Sequence, residues 1–575
     1  MSLEHRIDVA MGRVPADRVF KNGYHVNVFT NTIDEGDIAV ADHRIAGIGA
    51  YEGKRTVDLR GQVVCPGFID AHVHIESSML SVQEFARTVV ACGTTSVIAD
   101  PHEIANVMGI EGIRFILRSS KYCPIHIYVM LSSCVPASSL ESSGAELSAV
   151  DLLPFLSEKW VLGLGEMMNY HGVINGDPEV LDKIRVVGHK SILDGHCPGL
   201  SGRDLCAYIC AGIRTDHEST TYDEAQEKLR LGMNVMIREG TAARDLDELL
   251  PLVTPETVTR FMFVTDDKHV DDLLAEGQID HMVRRAIARG LPPPHAIRMA
   301  SFNAARFYNL EALGAVGPGY WADLVVLNDL HECRVTQVYK KGELVAQDGV
   351  CVAARPPLQT APTLRASVNV KWLQAEDFAM PVPAGKEQAR VRVIEAIPDR
   401  LHTQLRLECP AVADGMIVSD PARGLIKAAV IERHVASGRI GLGLIRGFGI
   451  RRGAIASTVA HDAHNLIVLG ATDADMLAAA IHIIRIGGGL CVLADGEVLA
   501  DLPLPIAGLL TDDPAPEVVR KLQNVRQAAH SLGTSLACPF MTLAFMSLSV
   551  IGDLKLTDKG LVDVTANALV PLFAD

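Results

Sequence analysis

Short apolar runs, each followed by a longer stretch of helical periodicity, recur through the first half of the chain. Phe68 to His72, Thr95 to Ala99, Ile125 to Leu131, Val161 to Glu166, Ser191 to His196, Ile213 to His217, Asn234 to Arg238 and Phe261 to Thr265 read as strands. Runs this short and this apolar suit strands covered on both faces, and the helical stretches between them suit crossovers joining parallel neighbours. Eight such units predict an α/β fold centred on a (β/α)8 TIM-like barrel.

Alternating segments flank these units on both sides. Tyr24 to Phe29, Asp37 to Val40 and Arg44 to Ile48 surround the turn residues Asn31, Asp34 and Gly36. The pattern returns after Gly314 to Asp323, in Leu324 to Leu327, in Val335 to Tyr339 and, past the Lys341-Gly342 turn, in Glu343 to Ala346. The two sets are expected to pair, giving a small composite β-sandwich domain from residues 1–64 and 312–355 around a barrel over 65–311. Ala353 to Pro362 reads as a linker. An additional α+β C-terminal domain is expected over 365–575, with strands at Val391 to Ile394 and Gly424 to Val430. It also holds a helix around Thr472 to Ile484 and a break at Gly487-Gly488-Gly489.

A chain of 575 residues is too long for one core, which agrees with several domains. The formal charge of −16, with no run of Lys and Arg interleaved with aromatics, argues against nucleic acid and for a small-molecule partner. The N-terminus, Met1 to Arg13, lacks the apolar core of a signal peptide, and no apolar stretch is long enough to span a bilayer. These features predict a soluble, cytoplasmic protein with no membrane partner. Twelve scattered cysteines without a Cys-x-x-Cys pair read as buried thiols, and Cys206 and Cys210, one helical turn apart, as helix packing.

The chemistry lies at the strand ends. Pro66-Gly67-Phe68-Ile69-Asp70-Ala71-His72-Val73-His74 closes an apolar run with two imidazoles at i and i+2, which project to the same side of a strand and can share a metal ion. The following strands end in Asp100-Pro101-His102-Glu103, Gly165-Glu166, Gly195-His196, Asp216-His217-Glu218 and Thr265-Asp266-Asp267. In a barrel of this kind that rim carries the active site. His72, His74, Glu166, His196, His217 and Asp266 together could hold two divalent cations, with one carboxylate between them and an activated water. Taken singly, His196 and His217 read first as core histidines, whereas Glu166 is harder to explain that way, a buried ion pair being its alternative; placement at successive strand ends reverses the balance for the histidines in favour of the metal reading. Asp266 and Asp267 would point apart on a strand, so one of them, Asp266, is expected at the metals and as acceptor of the water's proton.

These residues, in this order, resemble the amidohydrolase superfamily. The longer words Asp70-Ala-His-Val-His-Ile-Glu-Ser-Ser-Met79, Asp100-Pro-His-Glu-Ile-Ala-Asn106, Gly165-Glu-Met-Met-Asn169 and Ala460-His-Asp-Ala-His-Asn465 resemble the bacterial adenine deaminases within it. The resemblance covers nearly the whole chain. It implies hydrolysis of adenine to hypoxanthine and ammonia, with Glu166 where many relatives bridge two metals through a carboxylated Lys, and it favours Mn or Fe(II), with Zn as a third candidate. A second acid must serve the purine ring, for which His102, Glu239 and Glu76 are candidates. His102 also reads as a rim ligand or a partner of Asp100, and Glu239 as an ion pair with Arg238. Ser77, Ser78 and Asn169 suit contacts to purine edges or turn capping. His461 to Asn465 reads as a loop over the barrel mouth, from the same or a neighbouring subunit, as a second metal site, or as a structural strand entry. The zincin His-Glu-x-x-His word and the Pro-Cys-x-x-Cys of cytidine-type deaminases are both missing. Hydrolysis of a cyclic amide, and a metal-free barrel-fold interaction protein, stand as alternatives. Cyclic symmetry makes a homodimer or higher homo-oligomer the default.

Overall fold

The computed structural model describes residues 3–188, 192–358, 362–383, 390–398 and 402–574. Ser191, expected to open the fifth strand, and residues 359–361 of the expected linker lie outside the described residues.

The eight expected strands are present as β1 (Phe68–Val73), β2 (Thr94–Ala99), β3 (His126–Leu131), β4 (Val161–Met167), β5 (Ile192–Gly195), β6 (Thr215–Asp216), β7 (Asn234–Arg238) and β8 (Phe261–Val264). They form two parallel sheets, of order β5-β4-β3-β2-β1 and β6-β7-β8. Beyond the ends of β1 and β8 the backbone continues the pairing: Asp266 N donates to His72 O at 3.1 Å and His74 N to Asp266 O at 3.2 Å. The seam between β5 and β6 differs from a closed ladder. There the side chains take over, Gly195 N donating to Thr215 Oγ1 at 3.0 Å and Cys197 N to Asp216 Oδ1 at 2.9 Å. This is why β6 is two residues long where Ile213 to His217 was expected.

The intervening helices carry apolar faces onto the sheets. Val82, Phe85, Ala86, Val89 and Val90 of helix Val82–Val90 are buried at i, i+3, i+4, i+7 and i+8, the spacing of a helix lying on a sheet. Cys206 and Cys210, expected to be packed, are exposed on helix Gly202–Cys210, whose inner face is carried by Leu205, Tyr208 and Ile209. No helix among the described residues is long and apolar enough to cross a membrane.

The two largest of the remaining sheets among the described residues flank the β/α region. In a seven-stranded sheet, Val63–Pro66 pairs antiparallel with Leu324–Leu327, so the chain before β1 and the chain after β8 meet in one layer. In the C-terminal part, a nine-stranded sheet has Ile440–Arg446, Leu425–Ile431, Leu466–Gly470 and Ala454–Ser457 adjacent at its centre. Helix Asp473–Ile486 packs on it; Thr472 Oγ1 caps its start by accepting Asp475 N, and Gly487, at φ 78°, ends it in the left-handed region that glycine adopts without strain. The C-terminal part sits directly against the strand ends, since Ser81 N donates to Thr511 O at 2.8 Å and Thr511 N to Met79 O at 2.9 Å. One apolar core runs from Val73, Ile75 and Leu80 into Ile455, Ile467 and Leu510 without a break.

Candidate metal centre

The strand ends bring His72, His74, Glu166, His196, His217 and Asp266 into one buried cluster, each no more than 6% exposed. Glu166 stands in its middle. Its Oε1 faces His74 Nε2 at 3.2 Å and His72 Nε2 at 3.6 Å, while its Oε2 faces His196 Nδ1 at 2.6 Å and His217 Nε2 at 3.2 Å. Each oxygen therefore serves a different pair of imidazoles. Asp266 Oδ1 lies 3.0 Å from His74 Nε2 and 3.5 Å from His72 Nε2, and its Oδ2 accepts Arg238 Nη1 at 3.0 Å.

Local chemistry fixes these orientations. His74 Nδ1 donates to Asp100 O at 2.9 Å, which turns Nε2 toward the cluster as the atom a metal would take. Glu166 N donates to Asp100 Oδ2 at 2.9 Å, and Gly165 permits this approach: a Cβ there would lie 2.6 Å from Asp100 Cγ. Tyr208 Oη accepts His196 N at 2.9 Å and donates to Met167 O at 2.8 Å, tying β4 to β5. Asp266 adopts a left-handed conformation, φ 56°, two residues beyond β8. That turn, rather than strand alternation, separates Asp266 from Asp267, whose Oδ1 accepts Ser77 Oγ.

The cluster balances its own charge. Burial pushes the Glu166 carboxyl up, but His217 and His196 outweigh it and hold it well below its usual range. Burial likewise pushes Asp266 up, and His72, His74, His217 and Arg238 hold it well down. For His72, burial favours the neutral ring, yet Asp266 and Glu166 raise its pKa to about 10. Ligand atoms of His72, His74 and Asp266, of His72, Glu166 and His217, and of His196, His217 and Glu218 gather within 4.8 Å in each group. Imidazole and carboxylate donors at this density suit divalent first-row ions, which would take the place of the imidazole protons.

The remaining expected residues divide. His102 lines the cavity, with Nδ1 3.4 Å from Glu166 Oε1 and 3.7 Å from Asp100 Oδ1. Ser77 reaches the cavity only through Glu103, at 3.2 Å, and Asp267, both of which line it. Glu76 is buried and accepts Ile104 N at 3.2 Å. Ser78 Oγ donates to Ile75 O at 2.6 Å, a turn contact. Asn169 Oδ1 caps helix Tyr170–Asn175 by accepting Gly172 N at 2.8 Å and faces a larger outer cavity. Glu239 does not pair with Arg238 as expected. Neighbours on a strand face opposite ways, so Glu239 turns to Arg285 and Leu246 N while Arg238 takes Glu218, Asp245 and Asp266.

Other contributors went unassigned in the sequence. Glu218, next to His217 at the same strand end, lies 3.6 Å from His217 Nε2 and pairs with Arg238; two buried opposite charges at neighbouring strand ends were the available signal. The loop Ala460–Asn465 of the same chain covers the cavity. His461 Nδ1 lies 3.3 Å from Glu103 Oε1 and its ring stacks on Phe545, with centroids 5.1 Å apart. Met541, Phe545, Leu548 and Ile551 complete an apolar wall. Glu103, His461 and His464 also gather ligand atoms. Ala460 N, however, donates to His464 Nδ1 at 3.1 Å, so His464 Nε2 carries the proton and is a donor rather than a ligand.

A model of the amidohydrolase family matches residues 63–345, and a model of the adenine deaminase C-terminal domain matches residues 400–568. Adenine deaminase 2 of Carboxydothermus hydrogenoformans is 48% identical over 568 residues, covering 98% of each chain. The chain belongs to the adenine deaminase family. The adenine deaminase of Desulfatibacillum aliphaticivorans is 47% identical over 99% of each chain, so the family likeness extends through the covering loop and the C-terminal sheet. Among solved structures, N-acetyl-D-glucosamine-6-phosphate deacetylase from Mycobacterium smegmatis covers 57% of this chain and 99% of its own at 17% identity and a TM-score of 0.45, too loose an overlap to bear on the site.

Proposed function

We propose that the protein hydrolyses adenine to hypoxanthine and ammonia at a pair of divalent ions held by His72, His74, Glu166, His196, His217 and Asp266. The observation that carries this reading is Glu166, whose two oxygens each face a separate pair of imidazoles. Divalent ions bound there supply the Lewis acidity that makes water nucleophilic near neutral pH. Mn and Fe(II) are the favoured ions by family, with Zn third.

Asp266 collects the proton of the attacking water on Oδ1, since Arg238 occupies its Oδ2. The same carboxyl then delivers a proton to the departing amino group. His102, on the cavity wall, is the acid that serves the purine ring as C6 becomes tetrahedral. Glu239 and Asn169, engaged with Arg285 and with a helix start, receive no chemical role. We also read residues 65–311 as a closed (β/α)8 barrel, 1–64 with 312–355 as the composite β-sandwich and 365–575 as the C-terminal domain. The two family matches, over 63–345 and 400–568, support only the separation of the C-terminal domain from the rest. A cytoplasmic homodimer or higher homo-oligomer without membrane or nucleic-acid partners completes the reading, the acidic composition supporting the absence of a nucleic-acid partner.

The test is conversion of adenine to hypoxanthine, followed by absorbance and ammonia release, on metal-reconstituted protein beside Glu166→Gln. Turnover by the variant should fall by at least about 10²-fold, with fewer than two ions retained. Unimpaired turnover by the variant defeats the bridging role, and hydrolysis of a cyclic amide without ammonia release from adenine defeats the substrate.

A further inference from the structure

The covering loop brings a carboxylate whose role nothing above explains. Asp462 is 3% exposed and lines the same cavity as Glu166, Asp266, His196 and His217. Its Oδ2 has no hydrogen-bond partner, and Oδ1 lies 3.9 Å from both His102 Nε2 and His461 Nδ1, beyond hydrogen-bond range. A buried carboxylate left in this state is costly unless something donates to it.

The loop is not loose. His464 O accepts Arg433 Nε, Ala463 O accepts His434 Nε2 at 2.9 Å, and Asn465 Nδ2 donates to Ser142 O at 2.7 Å on the opposite side of the mouth. His461, stacked on Phe545, fixes the residue before it. Asp462 is therefore held in a set place with an oxygen unused.

That place is one imidazole out from the metal centre. His102 turns Nδ1 toward Glu166 and Nε2 toward Asp462, so Asp462 faces whatever part of a ligand extends past the reacting atoms. The neighbouring wall, Met541, Phe545, Leu548 and Ile551, suits the flat face of a ring. Free adenine offers two kinds of N–H donor. Its amino group must stay with C6 at the reacting centre, which leaves the N–H of the imidazole half.

We propose that Asp462 is a substrate-binding residue that accepts a hydrogen bond from the imidazole N–H of the purine, making the C-terminal part of the chain a component of the active site. This rests on the adenine reading above. The contact is present in substrate and product alike, so it acts on binding rather than on the chemical step.

The test is Asp462→Ala beside Asp462→Asn, the latter keeping shape and an acceptor oxygen. For Asp462→Ala, KM for adenine and the dissociation constant for hypoxanthine, read by calorimetry, should both rise by about 10²-fold, with kcat changed by less than about threefold. Asp462→Asn should fall between the variant and the parent, and both variants should keep the parent's metal content. Hypoxanthine affinity unchanged in Asp462→Ala, a loss confined to kcat, or a loss of metal ions would each overturn the proposal. Absence of adenine turnover in the parent protein would instead sink the activity reading, and the proposal with it.

Discussion

Lys228→Met removes an ammonium group that is fully buried and contacts four acceptors. Lys228 Nζ donates to Cys197 O at 2.9 Å, Asp216 Oδ2 at 2.9 Å, Ser219 Oγ at 3.1 Å and Glu224 Oε1 at 2.8 Å. Cys197 follows His196 and Asp216 precedes His217, so one side chain ties together the two turns that present these imidazoles. Burial pushes the Asp216 carboxyl up, and Lys228 beside it reverses the sign and holds it below its usual range. Met fills the volume and supplies no charge, leaving Asp216 with the neutral donors Ser219 Oγ, Cys197 N and Cys197 Sγ. Deleting one partner of a buried pair costs about 3–5 kcal/mol. Displacing supports of metal-binding side chains typically costs ~10–100-fold in metal affinity.

A second buried lysine separates the two effects. Lys427 donates to Asp473 at 2.7 and 3.0 Å and to Phe378 O at 3.0 Å, on a C-terminal strand with no contact to the cluster. Lys427→Met should lower the unfolding midpoint by less, because the Asp473 side chain is 38% exposed and can rehydrate. It should leave metal retention as it was. The measurement is metal content by atomic absorption after dialysis against graded chelator, with urea unfolding in parallel. If Lys228→Met keeps both ions at the chelator concentration the parent tolerates, or if Lys427→Met sheds them as readily, the positioning argument is wrong.

Two further substitutions address the backbone and the pH dependence. Gly165→Ala places a methyl 2.6 Å from Asp100 Cγ and must push Asp100 off Glu166 N; it should cost about 1–3 kcal/mol in urea unfolding and more than tenfold in turnover, and parental activity would show that Asp100 does not set Glu166. His434, buried beside Arg433, has its pKa driven from 6.5 down to about 3 by burial and then by that guanidinium. Between those pH values the unfolded chain binds a proton that the folded chain refuses. Stability should therefore fall on acidification below pH 6.5, by about 1.4 kcal/mol per pH unit from this group. His434→Gln should flatten the slope in urea melts at pH 7 and 5, and equal slopes in the two proteins would contradict the assignment.

The strand ends were legible because each donor follows an apolar run and every strand presents its end to the same rim. What the sequence concealed follows from side chains replacing backbone. At the β5/β6 seam Thr215 and Asp216 take amides that a ladder would have paired, so β6 is shorter than its apolar run suggests. The separation of Asp266 from Asp267 was anticipated on strand alternation, yet it comes from a left-handed turn beyond the strand. The alternative reading of Glu239 as a partner of Arg238 rested on adjacency, whereas Glu239, one residue past β7, turns to Arg285. Asp462 was legible only as part of the His461–Asn465 loop, since its neighbour His102 lies 360 residues earlier in the chain and meets it only when the C-terminal sheet docks.

The two halves of the centre are supported by different physics. Around His196 and His217, buried cations do the work: Lys228 holds Asp216, and Arg238 holds Glu218 and Asp266. Around His72, His74 and His102 the acids Glu76, Glu103 and Asp267 gather without an ion pair to a Lys or Arg among the described residues, and burial, then Asp267 and Glu76, push the Glu103 carboxyl well above its usual range. Those acids are instead shielded by Ser77 and by His461 of the covering loop. Lys228 and Asp462 share no partner across this division. Their substitutions should therefore combine additively in free energy, one acting on metal retention and the other on purine affinity.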